Sequence, residues 1–389
     1  MNPIKGLGLA LVAALALPAI AQAKPFMVVG NDEKVTWDDA GQVVLSAPGK
    51  DTVSIIDLAD PDHPKLVTSL PLENSVIGPP TNIAITPSGA LALVANSVDN
   101  VTDNGALKQV PIDQLHIIDL TANPPKLLTT LQVGKQPSGL DINAAGDMAM
   151  IANRADKSVT VLSIKGAEVK VTDTIAFPDS VAHVAFTPDG RHALAVRNVA
   201  NLVSVIDIGA DGKAAYNKLD LPTGTTPYNL VVTPNGKLAL SLDQGNNGGG
   251  CDGNVDGVSV MDLKAQPPHV IDRVVVGDCP EGMAISPKGD LAIAVLIGGT
   301  NSAKNAWFHR KTGSLALLAI HGDKVTKIKE VAAGALPEAI AFSPDGGTLY
   351  VGNFFDDDIA IYKVKGTEVT DTGRRLKLPG HPAAGRAGP

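Results

Sequence analysis

A turn centred on glycine recurs seven times along the chain, and this repeat limits the folds that are possible. Most copies resemble Thr-Pro-Asp-Gly or Ser-Pro-Lys-Gly and stand between two short apolar segments. The copies lie 44 to 57 residues apart and end at Gly41, Gly89, Gly146, Gly190, Gly236, Gly289 and Gly346. Proline presets φ and glycine supplies a permissive backbone in such turns. The repeat therefore predicts seven similar units of about 50 residues each.

Each unit contains about four strand-like segments, which are β-branched runs bounded by Gly, Pro, Asn and Asp. No segment has a sustained helical period with caps. Four-stranded units repeated radially predict an all-β fold, a seven-bladed β-propeller of four-stranded antiparallel blades. Alanine in the middle of the first strand, as in Ile83-Ala84-Ile85, favours this ring over an open solenoid, because innermost strands converge on a narrow channel.

The second strands end in "LVAN", "MIAN" and "YVGN". These ends, and the strands that follow them, resemble the YVTN (Tyr-Val-Thr-Asn) propeller repeat of the lactonase-like superfamily. The resemblance covers essentially the whole mature chain and implies a seven-bladed propeller. Activities in that superfamily include lactonases, cycloisomerases and electron-transfer subunits, so function has to be argued from the site.

Residues 1–23 have the features of a signal peptide. Lys5 supplies the positive charge, residues 7–20 are apolar, and Ala21-Gln22-Ala23 fits the cleavage rule. The apolar run is short for a membrane span, which needs about 20 residues. We therefore expect cleavage near Ala23. The propeller at 24–389 is then expected to be a soluble monomer, periplasmic or secreted, without a membrane span.

The two cysteines and the net charge predict a disulfide and disfavour one class of partner. Cys251 and Cys279 are the two cysteines of an exported chain, which predicts a disulfide between them. The formal net charge of −8 disfavours nucleic-acid binding.

No haem or zinc motif occurs, so we expect no cofactor and no metal. Calcium at Asp252 to Gly257 is a weaker alternative, since "DGNVDG" begins a calcium loop but Leu263 replaces its twelfth-position glutamate.

Alternation of strand direction places the links between blades, and the loops between strands two and three, on one face, which we call the top. The Pro-Gly turns lie on the bottom face. Three loops between strands two and three are enlarged, at residues 96–114, 243–257 and 297–314. Function tends to lie on loops held by a rigid scaffold. We therefore expect a binding site at the top of the central channel.

The residues nominated for this site flank the first and second strands of the blades. Those before or at the first strands are Asn82, His183, Tyr228, Asn229, Glu281, Glu338 and, near the C-terminus, His381. Those at the ends of the second strands are Asn96, Asn153, Arg154, Arg197, Asn198, Asp243 and Asn353, and Trp307 is added from an enlarged loop. Asparagine at a strand end also serves turn geometry, and glutamate after proline also solvates a rim, so a structural role is the competing interpretation for each.

Three functions are consistent with this set. The first is binding of a small polar ligand or a periplasmic protein on the top face. The second is a lactonase-like hydrolase in which Glu281 or Glu338 is the general base, Arg154 or Arg197 binds an anionic group and His183 transfers a proton. The third is an accessory subunit of a periplasmic redox enzyme.

Overall fold

The computed structural model describes residues 24–75, 77–246 and 250–388. The predicted signal peptide, residues 1–23, lies outside these ranges. The described chain forms seven four-stranded antiparallel sheets and one additional two-stranded hairpin. The expected all-β, seven-bladed propeller is confirmed. None of the helices in the described residues is both long and apolar enough to cross a membrane.

Blades two to four take their strands in chain order from the channel outwards. The strands of blade two are Ile83–Ile85, Leu91–Asp103, Ala106–Asp119 and Lys126–Gln132. Those of blade three are Pro137–Ile142, Met148–Asn153, Ser158–Lys165 and Glu168–Ala176. Those of blade four are His183–Phe186, His192–Arg197, Leu202–Ile208 and Ala214–Pro222.

Blades five to seven follow the same order. The strands of blade five are Pro227–Val232, Leu238–Asp243, Asp256–Asp262 and His269–Gly277. Those of blade six are Pro280–Ile285, Leu291–Leu296, Ser314–His321 and Lys324–Ala332. Those of blade seven are Pro337–Phe342, Thr348–Asn353, Asp358–Lys365 and Glu368–Lys377, with one short 3₁₀ helix at Phe354–Asp356.

Blade one closes the ring by joining the two ends of the described chain. Its innermost strand is Pro382–Ala387, near the C-terminus, and its second strand is Phe26–Asn31. The outer strands are Thr52–Asp57 and Lys65–Leu70. Met27 pairs with Ala387 in the antiparallel register that joins the two ends. The sequence had left the mode of ring closure open. The structure closes the ring by pairing Phe26–Asn31 with Pro382–Ala387.

The first landmark of the repeat, Gly41, was misassigned. It lies in a hairpin of two short strands, Val35–Trp37 and Val43–Leu45, inserted between strands two and three of blade one. Because the innermost strand of blade one comes from the C-terminus, this blade has no turn between its first and second strands. The predicted number of seven blades was nevertheless right, because the top-face turn at Gly41 was counted in place of the bottom-face turn that blade one lacks.

The core consists of apolar layers between neighbouring blades. Among the described residues, seven clusters each join one adjacent pair, and one of them joins blade seven to blade one through Tyr350, Ile361 and Val29. An open arc of seven blades has six interfaces, whereas a closed ring has seven. Burial of large side chains such as Tyr350 stabilises each interface by about 2 kcal/mol per residue.

Four connections between strands two and three are enlarged, one more than expected. In blade two the insertion extends the two strands into a long hairpin with Asn104 and Gly105 at its tip, both with positive φ. Such a pair is typical of a type I′ turn, which matches the twist of a hairpin. Blade one carries the hairpin that contains Trp37. The insertions of blades five and six carry the Cys251 and Trp307 segments.

Candidate active site at the top of the channel

A cavity of about 600 Å³ opens where the channel reaches the top face. Its polar wall consists of Arg154, Asn198, Tyr228, Gln244, Glu281 and Glu338. Its apolar wall consists of Val35, Trp37, Ile77, Val199, Ile297 and Phe354. Residues from at least six blades or their links therefore meet in one concave site, as the ring geometry predicts.

A positive-φ residue that precedes a proline recurs in four blades and positions the next side chains at this cavity. Gln136, Thr226, Cys279 and Leu336 each precede a proline and each have φ between 49° and 57°. The left-handed region is costly for non-glycine residues, by about 1 kcal/mol or more, and is unusual before proline. The carbonyl of each residue accepts a hydrogen bond from the backbone amide that follows the end of strand two, for example Ile297 N to Cys279 O at 3.0 Å.

The residue after each proline occupies the same position in its blade, since Pro137, Pro227, Pro280 and Pro337 all pair with the last residue of strand two. Those following residues are Ser138, Tyr228, Glu281 and Glu338. In the three consecutive blades five, six and seven they face the cavity. The ring thus brings one phenol and two carboxyl groups together from positions that are 53 and 57 residues apart in sequence.

Glu281 and Glu338 form a carboxyl pair. Burial raises the pKa of Glu281 to about 7, although the hydrogen bond with Glu338, the charge of Arg154 and the hydrogen bond from Gln244 oppose the shift. Burial, followed by the charge of Glu281 and the hydrogen bond to it, raises the pKa of Glu338 well above its usual range. Two neighbouring carboxyl groups cannot both ionise easily. Above about pH 7 the pair therefore holds one proton, which lies on Glu338.

A hydrogen bond and a nearby charge determine which carboxyl group of the pair ionises first. Gln244 Nε2 donates to Glu281 Oε1 at 2.5 Å. Gln244 follows strand two of blade five, and its backbone N–H donates to Thr226 O at 2.9 Å. Asp32, from the first top connection, contributes a further negative charge that raises the pKa of Glu338. The surroundings therefore favour the neutral form of Glu338 over the neutral form of Glu281.

Arg154 is the cation of the cavity. Its side chain lines the cavity, and its Nη1 donates to Ile77 O at 3.0 Å. Burial raises the pKa of the Tyr228 hydroxyl, and the charges of Glu281 and Glu338 raise it further, while Arg154 lowers it. Tyr228 is accordingly a neutral donor at physiological pH. The polar wall therefore combines one cation, one neutral phenol and one shared negative charge.

Aromatic rings close the opposite side. Trp37, on the hairpin of blade one, meets Phe354 edge to face at 5.9 Å and Phe355 at 6.0 Å between ring centroids. Phe354 is fully buried beside Val35 and Ile297 in a small apolar cluster beneath the rim. An apolar wall facing a few convergent polar groups is the usual composition of a small-molecule site.

Four nominated residues at the ends of second strands lie inside their own blades. Asn153 Nδ2 donates to Thr160 Oγ1 at 2.9 Å, and Asp243 Oδ2 accepts from Gly224 N at 2.9 Å. Asn353 Oδ1 accepts from Gly334 N at 3.0 Å. These side chains tie strand two to strand three or to the link that enters the same blade. The structure gives Asn153, Asp243 and Asn353 structural hydrogen bonds and does not place them in the cavity.

Arg197, the fourth, belongs to an ion-pair cluster of blade four. Its guanidinium contacts Asp179, and its Nη1 donates to Asp220 Oδ2 at 3.1 Å. The hydrogen bond with Asp179 is the main cause that raises the pKa of Arg197. Of the two arginines nominated to bind an anion, the structure therefore places Arg154 in the cavity and Arg197 in the blade.

His183 lies on the channel wall below the top cavity, where it lines a separate cavity at the bottom end. Its Nδ1 accepts the backbone amide of Leu230 at 3.1 Å. Burial is the main cause that lowers the pKa of His183 to about 3, so the imidazole is neutral. The expectation that His183 transfers protons beside Glu281 is not met, because the innermost strand of blade four places it deeper than the carboxyl pair.

Most of the remaining nominated residues also lie outside the cavity wall. Asn82 donates to Ser75 O at 3.2 Å and Ala95 O at 2.9 Å, and Asn229 is buried in its strand. His381 stacks on Phe354 and hydrogen-bonds Asp357 at 2.7 Å where the ring closes. Trp307 is 81% exposed on the rim. Asn198, which the sequence nominated, lines the cavity. The sequence missed Trp37 and Gln244, and only the misread hairpin could have signalled Trp37.

Cys251 and Cys279 form the expected disulfide, with their Cα atoms 5.1 Å apart. It joins the insertion of blade five to the link entering blade six, two residues before Glu281. Asp278 lies beside these sulfur atoms, which the disulfide already uses. A second group that could offer metal ligands is Glu33, Asp357 and His381 at the ring closure. Calcium binding by the 252–257 loop stays a prediction.

Comparison with known proteins supports the fold. No family model matches the chain. The structure resembles the periplasmic gluconolactonase of Pseudomonas aeruginosa, with a TM-score of 0.65 and 16% identity over 94% of this chain and 99% of that one. It also resembles a proposed 6-phosphogluconolactonase of Bacteroides fragilis, with a TM-score of 0.68 and 17% identity over 95% and 99% of the two chains.

Hydrazine synthase from Kuenenia stuttgartiensis is a more distant neighbour, with a TM-score of 0.56 and 17% identity over 75% of this chain and 78% of that one. Identities this low establish a shared architecture and not a shared reaction. The chain is therefore a seven-bladed β-propeller of four-stranded antiparallel blades whose structural neighbours include lactonase propellers.

Proposed function

We propose that the protein hydrolyses a small polar lactone in the top cavity. The observation that carries this proposal is the carboxyl pair Glu281–Glu338, which holds one proton beside Arg154 and Tyr228. An acid and a base with different protonation states in one concave site are the usual equipment for general acid–base catalysis. The gluconolactonase neighbour adds support from a propeller of the same architecture.

The proposed reaction uses the two carboxyl groups in opposite roles. Ionised Glu281 accepts a proton from water while the water oxygen bonds to the lactone carbonyl carbon. Arg154 and Tyr228 stabilise the negative charge that develops on the carbonyl oxygen. The ring C–O bond then breaks, and the leaving oxygen takes the proton of Glu338. Transfer of one proton from Glu281 to Glu338 restores the starting state, so the products are the hydroxy acid and the original enzyme.

The direct test compares Glu281→Gln with Glu338→Gln on a panel of aldonolactones. We expect Glu281→Gln to lower kcat by about 10²–10⁴, since the general base is lost. Glu338→Gln retains a neutral hydrogen-bond donor and is expected to lose less. Glu368→Gln, on an exposed outer strand, is the matched control. Equal rates for the wild type and Glu281→Gln on every lactone would remove this proposal.

A pH profile provides the second test of the assigned roles. Because Glu281 acts as the base, kcat/KM is expected to rise with pH through the pKa of about 7 and to level off while Glu338 keeps its proton. The rise is expected to disappear in Glu281→Gln. A profile that falls across the same range would reverse the assignment of acid and base.

Binding without turnover is the second candidate function. Trp307 favours a protein partner, because an indole ring that is 81% exposed is an unusual surface residue and a frequent hot spot in interfaces. Export to the periplasm or beyond is proposed with either function, supported by the disulfide and by the periplasmic neighbour. Capture of a partner by the wild type but not by Trp307→Ala, without lactone turnover, would favour this candidate.

A further inference from the structure

A second cavity, of about 420 Å³, occupies the bottom end of the channel. The bottom-face turns bound it, for example at Pro287 and Pro344, and the innermost strands form its wall. Phe186, Ile285 and Phe342 provide apolar surface. This cavity contributes nothing to the proposed hydrolysis, because the carboxyl pair lies at the other end of the channel.

Two charged residues, one in blade three and one in blade one, interrupt an apolar ring around this cavity. The equivalent position of the innermost strand, judged from its pairing with strand two, is alanine in blades two, four, six and seven and valine in blade five. Blade three has Asp141 there, paired with Met150. Asp141 Oδ2 accepts the backbone amide of Phe186 at 3.0 Å, which fixes the carboxyl group at the wall.

Blade one supplies the opposite charge. Arg386, on the C-terminal strand, reaches Asp141 Oδ1 from its Nη2 at 3.5 Å. Both residues line the cavity, and the arginine side chain is 53% exposed and the aspartate side chain 19%, so the two groups are loosely paired. Burial raises the pKa of Asp141, whereas the charge of Arg386 and the hydrogen bond from Phe186 N favour its ionised form. The distance is long for a charge-assisted hydrogen bond, which is usually about 2.7–2.9 Å.

His183 adds a directed donor to the same wall. Its side chain is 4% exposed, and its Nδ1 accepts the Leu230 amide, so the neutral ring carries its proton on Nε2. No acceptor for this N–H lies within hydrogen-bond distance in the described part of the chain.

We propose that the bottom cavity binds a small zwitterion with an apolar body, of the α-amino acid type. Its carboxylate contacts Arg386 and the Nε2–H of His183, and its ammonium contacts Asp141. The apolar body packs against Phe186, Ile285 and Phe342. A simple carboxylate would place its charge beside Asp141 without compensation, and a simple amine would do the same beside Arg386. A zwitterion matches both charges at once.

Three probes with one apolar body test the charge requirement by titration calorimetry. They are L-phenylalanine, 3-phenylpropanoate, which lacks the ammonium group, and 2-phenylethylamine, which lacks the carboxylate. Phenylalanine is expected to bind at least tenfold more tightly than either analogue, a difference of about 1.4 kcal/mol, because each analogue loses one charge-assisted contact. Equal affinities for the three probes, or no binding of phenylalanine, would overturn the proposal.

Two variants locate the binding. Asp141→Asn retains an acceptor for the Phe186 amide and is expected to reduce the preference for phenylalanine over 3-phenylpropanoate. Arg386→Gln is expected to reduce the preference for phenylalanine over 2-phenylethylamine. Unchanged preferences in both variants would contradict the site, provided that their circular dichroism melts match the wild type. Neither residue acts in the proposed hydrolysis, so lactone turnover tests the top cavity separately.

Discussion

At the scale of single residues, the carboxyl pair is the least ordinary feature of the protein. Burial raises the pKa of both Glu281 and Glu338, and the charge of Glu281 further opposes the ionisation of Glu338. Such an arrangement costs stability, because the charged form is disfavoured by burial and by its neighbour. A structural role would be served equally well by a neutral pair, for example two glutamines, so the arrangement favours a function that needs the proton.

The pH dependence of stability checks this pair independently of any substrate. The pKa of Glu281 is raised from 4.5 in the unfolded chain to about 7 in the folded protein, so the folded state binds the proton more tightly. Its contribution to stability is therefore present below about pH 4.5 and is lost as the pH rises through 7. We expect Glu281→Gln to have a higher Tm than the wild type at pH 8, with a gap that shrinks by pH 5.

Differential scanning calorimetry between pH 5 and pH 8 measures this gap. Glu368→Gln, at an exposed position, should show no pH-dependent difference from the wild type. A Tm difference for Glu281→Gln that stays constant across the range would contradict the raised pKa of the carboxyl pair.

The sequence indicated some of these residues and not others for a physical reason. Glu281 and Glu338 follow prolines at equivalent positions of successive repeats, so the repeat itself placed them side by side. Asn153 and Asn353 also follow the repeat, but their side chains satisfy backbone and hydroxyl groups within the blade. The direction of a side chain at a strand end depends on partners that spacing alone does not reveal.

At the scale of elements, the end of strand two is a junction in almost every blade. Asn31, Asn153, Asp243 and Asn353 occupy it, and Arg197 and Leu296 take the position in blades four and six. In blade two, Asn96 stands just before the register shift within the longer strand Leu91–Asp103. In blade one, Asn31 Nδ2 donates to Thr52 Oγ1 and Ser54 Oγ, both at 2.9 Å. Side chains that satisfy buried groups at each junction stiffen the top rim, and a stiff rim holds the cavity in shape.

The hairpin of blade one is the element that the sequence placed on the wrong face. Gly41 ends a turn that resembles the bottom-face turns, but the two short strands beside it carry Val35 and Trp37 to the top cavity. Only the three-dimensional pairing shows that strand one of this blade comes from the C-terminus. The residues around Gly41 therefore predicted a turn, but the way the ring closes determines that this turn lies on the top face.

Trp37→Ala tests whether this hairpin forms part of the site. Removal of the indole opens one wall of the cavity, so we expect KM for a lactone substrate to rise about tenfold, which corresponds to about 1.4 kcal/mol of lost binding. Steady-state kinetics measure the effect. Trp307→Ala removes the same side chain from the exposed rim and is expected to leave KM unchanged. Equal effects of the two substitutions would show that Trp37 has no special role in binding.

At the scale of the whole molecule, the ring depends on one seam. The six-residue strand Pro382–Ala387 completes blade one, and Ala384 contributes to the core between blades one and two. The sequence predicted seven similar blades, because each follows local turn and strand rules. It could not predict the closure, because either chain end could have supplied the missing strand.

Deletion of residues 381–389 tests the seam. The truncated chain exposes the inner edge of Phe26–Asn31 and loses a packed strand, so we expect loss of a single cooperative melt and rapid proteolysis. Addition of a synthetic peptide of residues 380–389 is expected to restore protease resistance, because it supplies the same strand in trans. A truncated chain that melts as sharply as the full one would show that the seam is dispensable.

The position of the strand Pro382–Ala387 has a consequence for the order of folding. The pairing of Met27 with Ala387 joins residues that lie 360 positions apart in the sequence. Contacts between distant residues form more slowly than local contacts, because closure of the long intervening loop costs more entropy. We therefore expect the six blades whose strands are consecutive in sequence to form before blade one is completed.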